Sequence, residues 1–348
     1  MSKKVKIGII GFGFMGTTHF DIYRNNPKAE VVAIADVDVK KRQGDISSVV
    51  ANISGGDNSK PLDLAGIKTY EDAMELINDP NVEMIDICVP VNMHKKFSLA
   101  GIAAGKHVLC EKPLARNSAD AAEIYAAADK SNKAFMVGMC VRFWPEYAHA
   151  RNLINSGKIG KLVSASFRRL SPNIDGNSWQ NWFMNAALSG GAIYDLHLHD
   201  TDYIRYLLGM PKAVTSFGIC GVRSDCGIDH VMTRYDFGDD TLVTAEGAWD
   251  ASRSTPFEMS FQIVCEKATL RFTEGGYKVC WENGNVEAIS AAEEGLPTGW
   301  HKEIDYMLEC IVKGVKPDAY MGGADVTESI RIVEAEMKSV ETKTTVKI

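Results

Sequence analysis

The chain has 348 residues, with 38 Lys and Arg against 45 Asp and Glu, which gives a formal net charge of −7 at neutral pH. Hydrophobic residues make up 45% and charged residues 24%, which is ordinary globular usage and excludes a disordered, collagen-like or coiled-coil chain. An acidic balance without a stripe of Lys and Arg argues against nucleic acid as a partner. The length indicates two domains, each large enough for its own core.

The apolar segments are too short for a membrane-spanning helix, which needs about 18–20 consecutive apolar residues. The first residues carry lysines followed by only a short apolar run, which lacks the pattern of a secretory signal. The eight cysteines form no CxxC pair, and several lie inside apolar runs such as Ile87-Cys88-Val89. We therefore expect reduced thiols, no membrane partner and a cytoplasmic location.

The first third of the chain alternates short apolar strands with helical segments. Near-continuous apolar strands separated by helices indicate a parallel sheet covered on both faces, which is the doubly wound Rossmann pattern. A Gly/Ser/Asp-rich segment, Ser54–Lys60, is predicted as a surface loop. The predicted strands are Val5–Ile10, Val31–Ala35, Met84–Val89, His107–Cys110 and Ala134–Val137, and the predicted helices are Phe14–Asn25, Tyr70–Asn78, His94–Ala104 and Ser118–Ser131.

After about residue 140, strands joined by short turns dominate, which indicates an open, mostly antiparallel sheet. The predicted fold class is α/β, with an N-terminal Rossmann domain at residues 1–125. An α+β domain for substrate binding and oligomerisation follows at residues 126–348, and its closing helix at 325–338 is a candidate to pack back on the first domain. The predicted strands are Lys161–Leu170, Ala213–Val222, His230–Phe237, Thr241–Trp249, Ser260–Cys265, Ala268–Phe272 and Tyr277–Trp281.

The motif Gly11-Phe12-Gly13-Phe14-Met15-Gly16 directly follows the first strand and opens a helix. In this context the first glycine permits a tight turn, the second lets a pyrophosphate approach the backbone, and the third lets helix and strand pack closely. Asp36, at the end of the second strand, is placed to accept hydrogen bonds from the adenosine ribose and to repel a 2′-phosphate. The residues therefore predict a dinucleotide site that favours NAD over NADP.

Two further sequence motifs contain candidate catalytic residues. Lys112, in Cys110-Glu111-Lys112-Pro113, follows a strand of the same sheet and can stabilise negative charge on a substrate oxygen, although a solvated lysine fits the same position.

Asp195 and His199 are four residues apart on a predicted helix, so the carboxylate can orient the imidazole as a general base. A capping Asp and a structural His are the alternative. His197 diverges from His199, which disfavours a metal site, and none is expected.

The ordered set of motifs resembles the Gfo/Idh/MocA family of NAD(P)-dependent sugar and polyol oxidoreductases. The sequence departs from the family pattern at Val91, where Asn is common, and at His197, where many members have Gly. The further matching positions are His19, Pro90, His94, Gly105-Lys106-His107-Val108, Arg142-Phe143-x-Pro145, Ser156-Gly157-Lys158-Ile159-Gly160 and Gly190-Gly191.

The resemblance implies hydride transfer between a secondary alcohol of a sugar, inositol or sugar derivative and nicotinamide. Lys112 would hydrogen-bond the reacting hydroxyl, His199 would accept its proton, and Asp195 would support His199. Expected cofactor contacts are the residues of the glycine motif with Asp36, Pro90, His94, Glu111 and Lys112.

Expected substrate contacts are Lys112, Asp195 and His199, with Arg142, Trp179 and Trp182. The two tryptophans lie in an Asn-rich segment suited to stacking on a sugar and hydrogen-bonding it, with core packing as the alternative. For Arg142 the alternative is a structural ion pair. The resemblance also implies a homodimer or homotetramer formed through the open sheet. An NAD-dependent glycosidase that uses transient oxidation and a non-catalytic nicotinamide-sensing regulator are the competing functions.

Overall fold

The computed structural model describes residues 4–49, 60–176, 178–290, 298–319, 321–323 and 325–348. The chain forms two compact units, the first from residues 1–139 and 300–327 and the second from residues 140–299 and 328–348. This division lies later than the predicted boundary at 125/126, because the strand at 135–138 completes the first sheet. Residues 300–327 return to the first unit, whereas most of the predicted closing helix at 325–338 belongs to the second. Apart from Lys60, the predicted loop at 54–60 lies outside the described residues.

The sheet of the first unit has six parallel strands in the order β3-β2-β1-β4-β5-β6, which confirms the predicted doubly wound sheet. Ile10 lies opposite both Ala35 and Ile87, and Ile87 lies opposite Cys110, so three strands end at the same level and β5 ends one residue beyond it. Up to residue 138 the elements are β1 Val5–Ile10, α1 Phe14–Arg24, β2 Ala29–Ala35, α2 Val39–Arg42, β3 Lys68–Tyr70, α3 Ala73–Asn78, β4 Met84–Ile87, α4 His94–Ala103, β5 His107–Glu111, α5 Ser118–Lys130 and β6 Phe135–Gly138, with a 3₁₀ turn at Val91–Met93.

The continuous apolar character of the strands follows from burial on both faces. In β1, Ile7, Ile9 and Ile10 are almost fully buried. Gly8 lets α3 pack directly on this strand, because a Cβ atom at Gly8 would lie 2.6 Å from a methyl group of Leu76. The central strand is therefore fixed between the layers, and its end at Ile10 defines where the glycine turn begins.

One helix of the first unit begins later than predicted. The sequence pattern predicts a helix at Tyr70–Asn78, but in the structure Lys68–Tyr70 pairs with β2 as a short edge strand. The helix starts at Ala73, because the Asp72 side chain caps it by accepting the backbone N–H of Met74 at 2.8 Å.

The second unit is built on a nine-stranded sheet in the order β14-β13-β12-β11-β7-β10-β9-β8-β15. Strands β7 and β10 pair in parallel, and the other neighbouring pairs among the described strands are antiparallel, as predicted. From residue 140 onwards the elements are α6 Pro145–Asn155, β7 Leu162–Pro172, α7 Ala186–Ser189, α8 Leu198–Leu208, β8 Ala213–Cys220, β9 Ile228–Asp236, β10 Leu242–Ala251, β11 Glu258–Cys265, β12 Ala268–Thr273, β13 Gly276–Trp281, β14 Val286–Ile289, α9 Gly299–Lys313, α10 Val326–Thr342 and β15 Val346–Lys347.

Helices cover one face of this sheet, and the other face carries exposed side chains. The ring of Tyr147 in α6 contacts the rings of Tyr203 in α8 and Phe261 in β11, at centroid distances of 4.8 and 4.9 Å. On the opposite face Phe217 is 71% exposed and lies beside Met232, which is 52% exposed. The alternation along these strands thus separates a packed face from an outer face that carries exposed apolar side chains.

All eight cysteines lie in the described part of the chain and carry free thiols. Within that same part, no helix is long and apolar enough to cross a membrane.

The titration of His107 predicts part of the acid sensitivity of the first unit. Burial, together with Lys133, lowers the pKa of His107 from 6.5 to about 4, and its Nδ1 accepts the backbone N–H of Ala134 at 3.0 Å. Between those two pH values the unfolded chain binds more protons than the folded chain, so the free energy of unfolding falls as the pH falls through this window. His107→Gln keeps an acceptor but does not titrate, and we expect a shallower decline in urea unfolding experiments.

The matched control is Asn152→Gln, at an exposed position in the second unit that does not titrate, and its pH profile should parallel that of the unmodified protein. Identical slopes for His107→Gln and the unmodified protein between about pH 6.5 and 4.5 would contradict the assignment.

Candidate active site

The glycine turn after β1 forms an open cradle at the start of α1. Gly11 has a φ of +89°, and a Cβ atom there would lie 2.5 Å from the carbonyl oxygen of Cys88. A Cβ atom at Gly16 would overlap the carbonyl oxygen of Gly11, so the helix packs directly on the turn. A Cβ atom at Gly13 would meet no atom of the described residues within 4 Å. The space in front of the helix N-terminus is therefore open where a pyrophosphate needs it.

Asp36 is fixed beside this cradle. One carboxylate oxygen accepts the backbone N–H of Phe12 at 2.7 Å, and the other accepts the backbone N–H of Asp38 at 2.8 Å. The Nζ of Lys41 lies 3.9 Å from the first oxygen. The carboxylate thus sits at the end of β2, with lone pairs left for the hydroxyls of a ribose. These residues fit a dinucleotide.

The three other residues of the glycine motif differ in what they can offer a cofactor. The ring of Phe12 is fully buried against Phe20, so only its backbone can face a ligand. Phe14 and Met15 are half-buried in the first turn of α1, and Phe14 contacts the ring of Trp300 at 6.3 Å.

Lys112 follows the last residue of β5 and is half-buried. The neighbouring Glu111 is only 6% exposed, and its Oε2 accepts the backbone N–H of Lys112 at 3.1 Å. The peptide bond between Lys112 and Pro113 is cis. The carboxyl end of β5 therefore presents Lys112 at the same edge of the sheet as Gly11 and Asp36, as the register of the strands requires.

His94 joins two loops of this edge through its ring nitrogens. It is 1% exposed, and its two ring nitrogens lie 2.7 Å from the carbonyl oxygen of Pro113 and 2.8 Å from that of Val89. Burial lowers the pKa of His94, against the opposing effect of these two hydrogen bonds. Pro90 is half-buried and precedes the 3₁₀ turn that leads to His94.

The catalytic candidates of the second unit lie on a wide turn that runs into α8. Residues Ile193–His197 form a π-helical turn, in which the backbone N–H of Leu198 donates to the carbonyl of Ile193. Asp195 is half-buried on this turn, and His199 is 9% exposed in the first turn of α8. Such π turns occur frequently at functional sites. The sequence predicted an ordinary helix here, because a single inserted residue leaves no periodic signal.

His197 points into the interior of the second unit. Its Nε2 lies 3.2 Å from the hydroxyl of Tyr235 and 3.3 Å from the Glu336 carboxylate, and all three residues are fully buried. A Cβ atom at Gly247 would lie 2.6 Å from the Cβ of His197, so the sheet accommodates the larger residue with a glycine.

Arg142 forms a buried ion pair, which is the alternative that the sequence left open for this residue. It is 1% exposed, and its Nε and Nη2 donate to the two carboxylate oxygens of Asp202 at 2.8 and 2.6 Å. Ser329 donates to the same aspartate at 2.8 Å, and the ring of Tyr206 lies 4.9 Å from the guanidinium carbon. The guanidinium therefore has an ion-pair partner and an aromatic neighbour within the second unit.

Trp182 lies in an unusual 3₁₀ segment, Trp179–Met184. Gln180 and Asn181 have positive φ values of 49° and 53°, and consecutive strained residues are frequent at binding sites. The ring of Trp182 is half-buried and stacks on Phe183 at 4.2 Å. The side chain of Trp179 lies outside the described residues.

A buried polar cluster in the first unit was not predicted from the sequence. It is formed by His19, Asp86, Glu111 and Glu303. Burial, with the charges of Glu111 and Asp86, raises the pKa of Glu303. One signal was present in the sequence, because Glu303 occupies the apolar face of α9 between Trp300 and the buried Ile304. An acid at an apolar position of a helix indicates a buried polar interaction.

Two family models match the chain. The model of the oxidoreductase family with an NAD-binding Rossmann fold, Gfo/Idh/MocA, matches residues 5–139, and the model of a C-terminal domain of the same family matches residues 147–271. The chain belongs to the Gfo/Idh/MocA family. This confirms the resemblance, the two-part fold and the expected NAD-binding domain.

The relatives include a levoglucosan dehydrogenase of Pseudarthrobacter phenanthrenivorans, 30% identical over 220 residues, which are 62% of this chain and 54% of that protein. A myo-inositol 2-dehydrogenase of Thermotoga maritima is 30% identical over 209 residues, covering 59% of this chain and 55% of that protein. The chain thus spans about half the length of the curated relatives it matches.

A solved structure of a levoglucosan dehydrogenase in complex with NADH and levoglucosan has a TM-score of 0.82 at 22% identity, covering 99% of this chain and 100% of that one. An aldose-aldose oxidoreductase from Caulobacter crescentus, complexed with glycerol, has a TM-score of 0.81 at 22% identity with the same coverage. At this level of identity the likeness shows a shared fold.

The two glycines of the cradle predict opposite effects of the same substitution. Gly13 has a φ of −84°, which alanine adopts, and its added methyl group would meet no protein atom. We expect Gly13→Ala to keep the unfolding midpoint within about 1 °C and to weaken NADH binding at least about tenfold, because the methyl group blocks the phosphates.

Gly16→Ala serves as the counterpart. Its methyl group would overlap backbone, so we expect the free energy of unfolding to fall by about 1–3 kcal/mol. Thermal unfolding and NADH fluorescence titration measure both properties. Unchanged NADH affinity in Gly13→Ala would show that the phosphates do not bind at this turn.

Proposed function

We propose that the protein transfers a hydride between a secondary alcohol of a sugar, inositol or sugar derivative and nicotinamide. The observation that carries this proposal is Lys112 at the carboxyl end of β5, on the same sheet edge as Gly13 and Asp36. The names of the relatives, levoglucosan dehydrogenase and myo-inositol 2-dehydrogenase, support the substrate class.

In the first unit, the open turn at Gly13 and the helix N-terminus behind it would hold the pyrophosphate. Asp36 would accept hydrogen bonds from the adenosine ribose, and its charge favours NAD because a 2′-phosphate would meet a carboxylate. Pro90 and Lys112 would line the nicotinamide end of this edge. NAD, when bound, supplies the acceptor for the hydride that leaves the substrate carbon.

The substrate hydroxyl requires a proton acceptor and a donor that stabilises negative charge on its oxygen. We assign His199 as the acceptor, Asp195 as the carboxylate that supports it, and Lys112 as the donor. In the reverse direction His199 returns the proton to the carbonyl oxygen. Trp182, with its ring half-buried beside Asn181, is suited to stack on the apolar face of a sugar ring.

Lys112 lies in the first unit and His199 in the second, so their shared role has a specific test. With a sugar or inositol found by screening NADH formation, we expect Lys112→Ala and His199→Ala each to lower kcat/KM by about 10²–10⁴-fold. If both side chains act on the same oxygen, the double variant should be far less impaired than the product of the two single effects.

Lys158→Ala, at an exposed lysine after α6, is the matched control and should keep full activity. Near-normal turnover in both single variants would refute the assigned roles, and fully multiplicative losses would show that the two residues act in separate steps.

The same screen separates the competing functions. Release of sugar from a glycoside without NADH accumulation would favour the NAD-dependent glycosidase, and NADH binding without turnover of any substrate would favour the regulator. The relatives named as dehydrogenases favour neither alternative.

We further propose that the protein forms a homodimer or homotetramer through the outer face of the second sheet. Phe217, Ile219 and Met232 are each more than half exposed on neighbouring strands. Adjacent exposed apolar side chains are typical of a surface that another chain covers. The free thiols support a reducing, cytoplasmic environment.

Phe217→Asp should therefore shift the protein to a smaller assembly in analytical ultracentrifugation, because it would bury a charge in the interface. Val312→Asp, at a 52% exposed position on α9 in the first unit, is the control and should leave the assembly unchanged. A monomeric unmodified protein at micromolar concentration would refute the proposed interface.

A further inference from the structure

Four ionisable side chains converge inside the first unit from four different elements. His19 comes from α1, Asp86 from β4, Glu111 from the end of β5 and Glu303 from α9, and none is more than 6% exposed. One nitrogen of His19 and one carboxylate oxygen each of Glu111 and Glu303 lie within 4.8 Å of one another. Three groups that can ligate a metal thus share one small interior space.

The orientation of His19 is fixed from outside this space. Its Nδ1 lies 2.8 Å from a carboxylate oxygen of Asp86, which also accepts the hydroxyl proton of Tyr23 at 2.9 Å. An aspartate partner keeps the proton on Nδ1, which leaves the lone pair on Nε2 facing Glu111. This carboxylate–histidine arrangement is the one that supports metal-binding histidines in proteins.

Glu303 supplies the second, independent observation. It is fully buried, and among the residues that the structure describes neither of its carboxylate oxygens has a hydrogen-bond partner. Its nearest charged neighbours include Glu111 and Asp86, which have the same sign. A buried carboxylate without a partner is strongly unfavourable, so a cation bound at this point would stabilise the cluster.

We propose that His19 Nε2, Glu111 Oε1 and one carboxylate oxygen of Glu303 bind a divalent transition-metal ion, with Zn²⁺ as the best match. Two ligands of a tetrahedral zinc ion with bonds of about 2.0–2.1 Å lie about 3.4 Å apart. His19 Nε2 and Glu111 Oε1 are 3.4 Å apart, which is too long for a strong hydrogen bond. A nitrogen ligand disfavours Mg²⁺ and Ca²⁺, which prefer oxygen.

The ion would have a structural role. It ties α1, β5 and α9 together and holds Glu111, the residue directly before Lys112. The proposal does not rest on the dehydrogenase activity, since the site uses none of the residues assigned to proton transfer. The sequence alone predicted no metal site, because its ligands are scattered between positions 19 and 303.

The test uses the full chain, stripped with a chelator and then titrated with Zn²⁺ or Co²⁺. We expect one ion per chain by mass spectrometry and a rise of several degrees in the unfolding midpoint. Glu303→Gln and His19→Gln should each weaken binding at least about 100-fold, and Asp86→Asn about 10–100-fold. Mg²⁺ should give no shift.

Each variant is compared with and without metal, so a variant that is less stable in itself still reports on binding. Glu282→Gln, an exposed acid in the second unit, is the matched control and should bind like the unmodified protein. Absence of saturable Zn²⁺ and Co²⁺ binding would overturn the proposal and leave the cluster to protons or water.

Two other outcomes would also overturn the assignment. Binding that survives both Glu303→Gln and His19→Gln would place the ion elsewhere. A thiolate-to-cobalt charge-transfer band would place it on Cys88, which lies beside His19 and Asp86.

Discussion

The alignment of strand ends in the parallel sheet is the constraint on which the first unit depends. Because parallel strands enter from the same side, their carboxyl ends and the loops that follow meet at one edge. The register opposes Ile10 to Ala35 and Ile87, which brings the glycine turn, Asp36 and the loop before His94 side by side. No single contact creates this edge. It follows from apolar strands that must be buried on both faces, and the polar residues can lie only where those strands stop.

The second unit positions its candidate residues differently, because the carboxyl ends of antiparallel strands do not meet at one edge of the sheet. Its candidates Asp195 and His199 lie along one helical segment, and buried ion pairs fix that segment to the unit. Asp200 is paired with Arg169 at 2.9 Å, and Asp202 is paired with Arg142. Buried ion pairs add little net stability but specify one arrangement of the groups that they join. His199 directly precedes the first of these anchors.

The features of the fold and site that could be predicted from the sequence are those that depend on local residue patterns. The glycine motif, Asp36 and the strands of both sheets follow from residue spacing that one element alone determines. The contacts of His94 and Arg142 could not be predicted, because each depends on a partner distant in the chain, Pro113 for one and Asp202 for the other. The buried cluster was missed for the same reason. Glu303 gave a local signal, an acid on an apolar helix face, but its neighbours His19 and Glu111 are known only once the chain is folded.

Glu111 and Lys112 show how the interior and the functional edge are connected. Successive residues of a strand point to opposite sides, so at the end of β5 the glutamate enters the buried cluster and the lysine does not. The two are joined by one peptide unit, and the Glu111 carboxylate also accepts the Lys112 N–H. The cluster is thus joined to Lys112 through one peptide unit and one hydrogen bond. The position of Glu111 in the buried cluster and the position of Lys112 at the edge are therefore set by the same strand end.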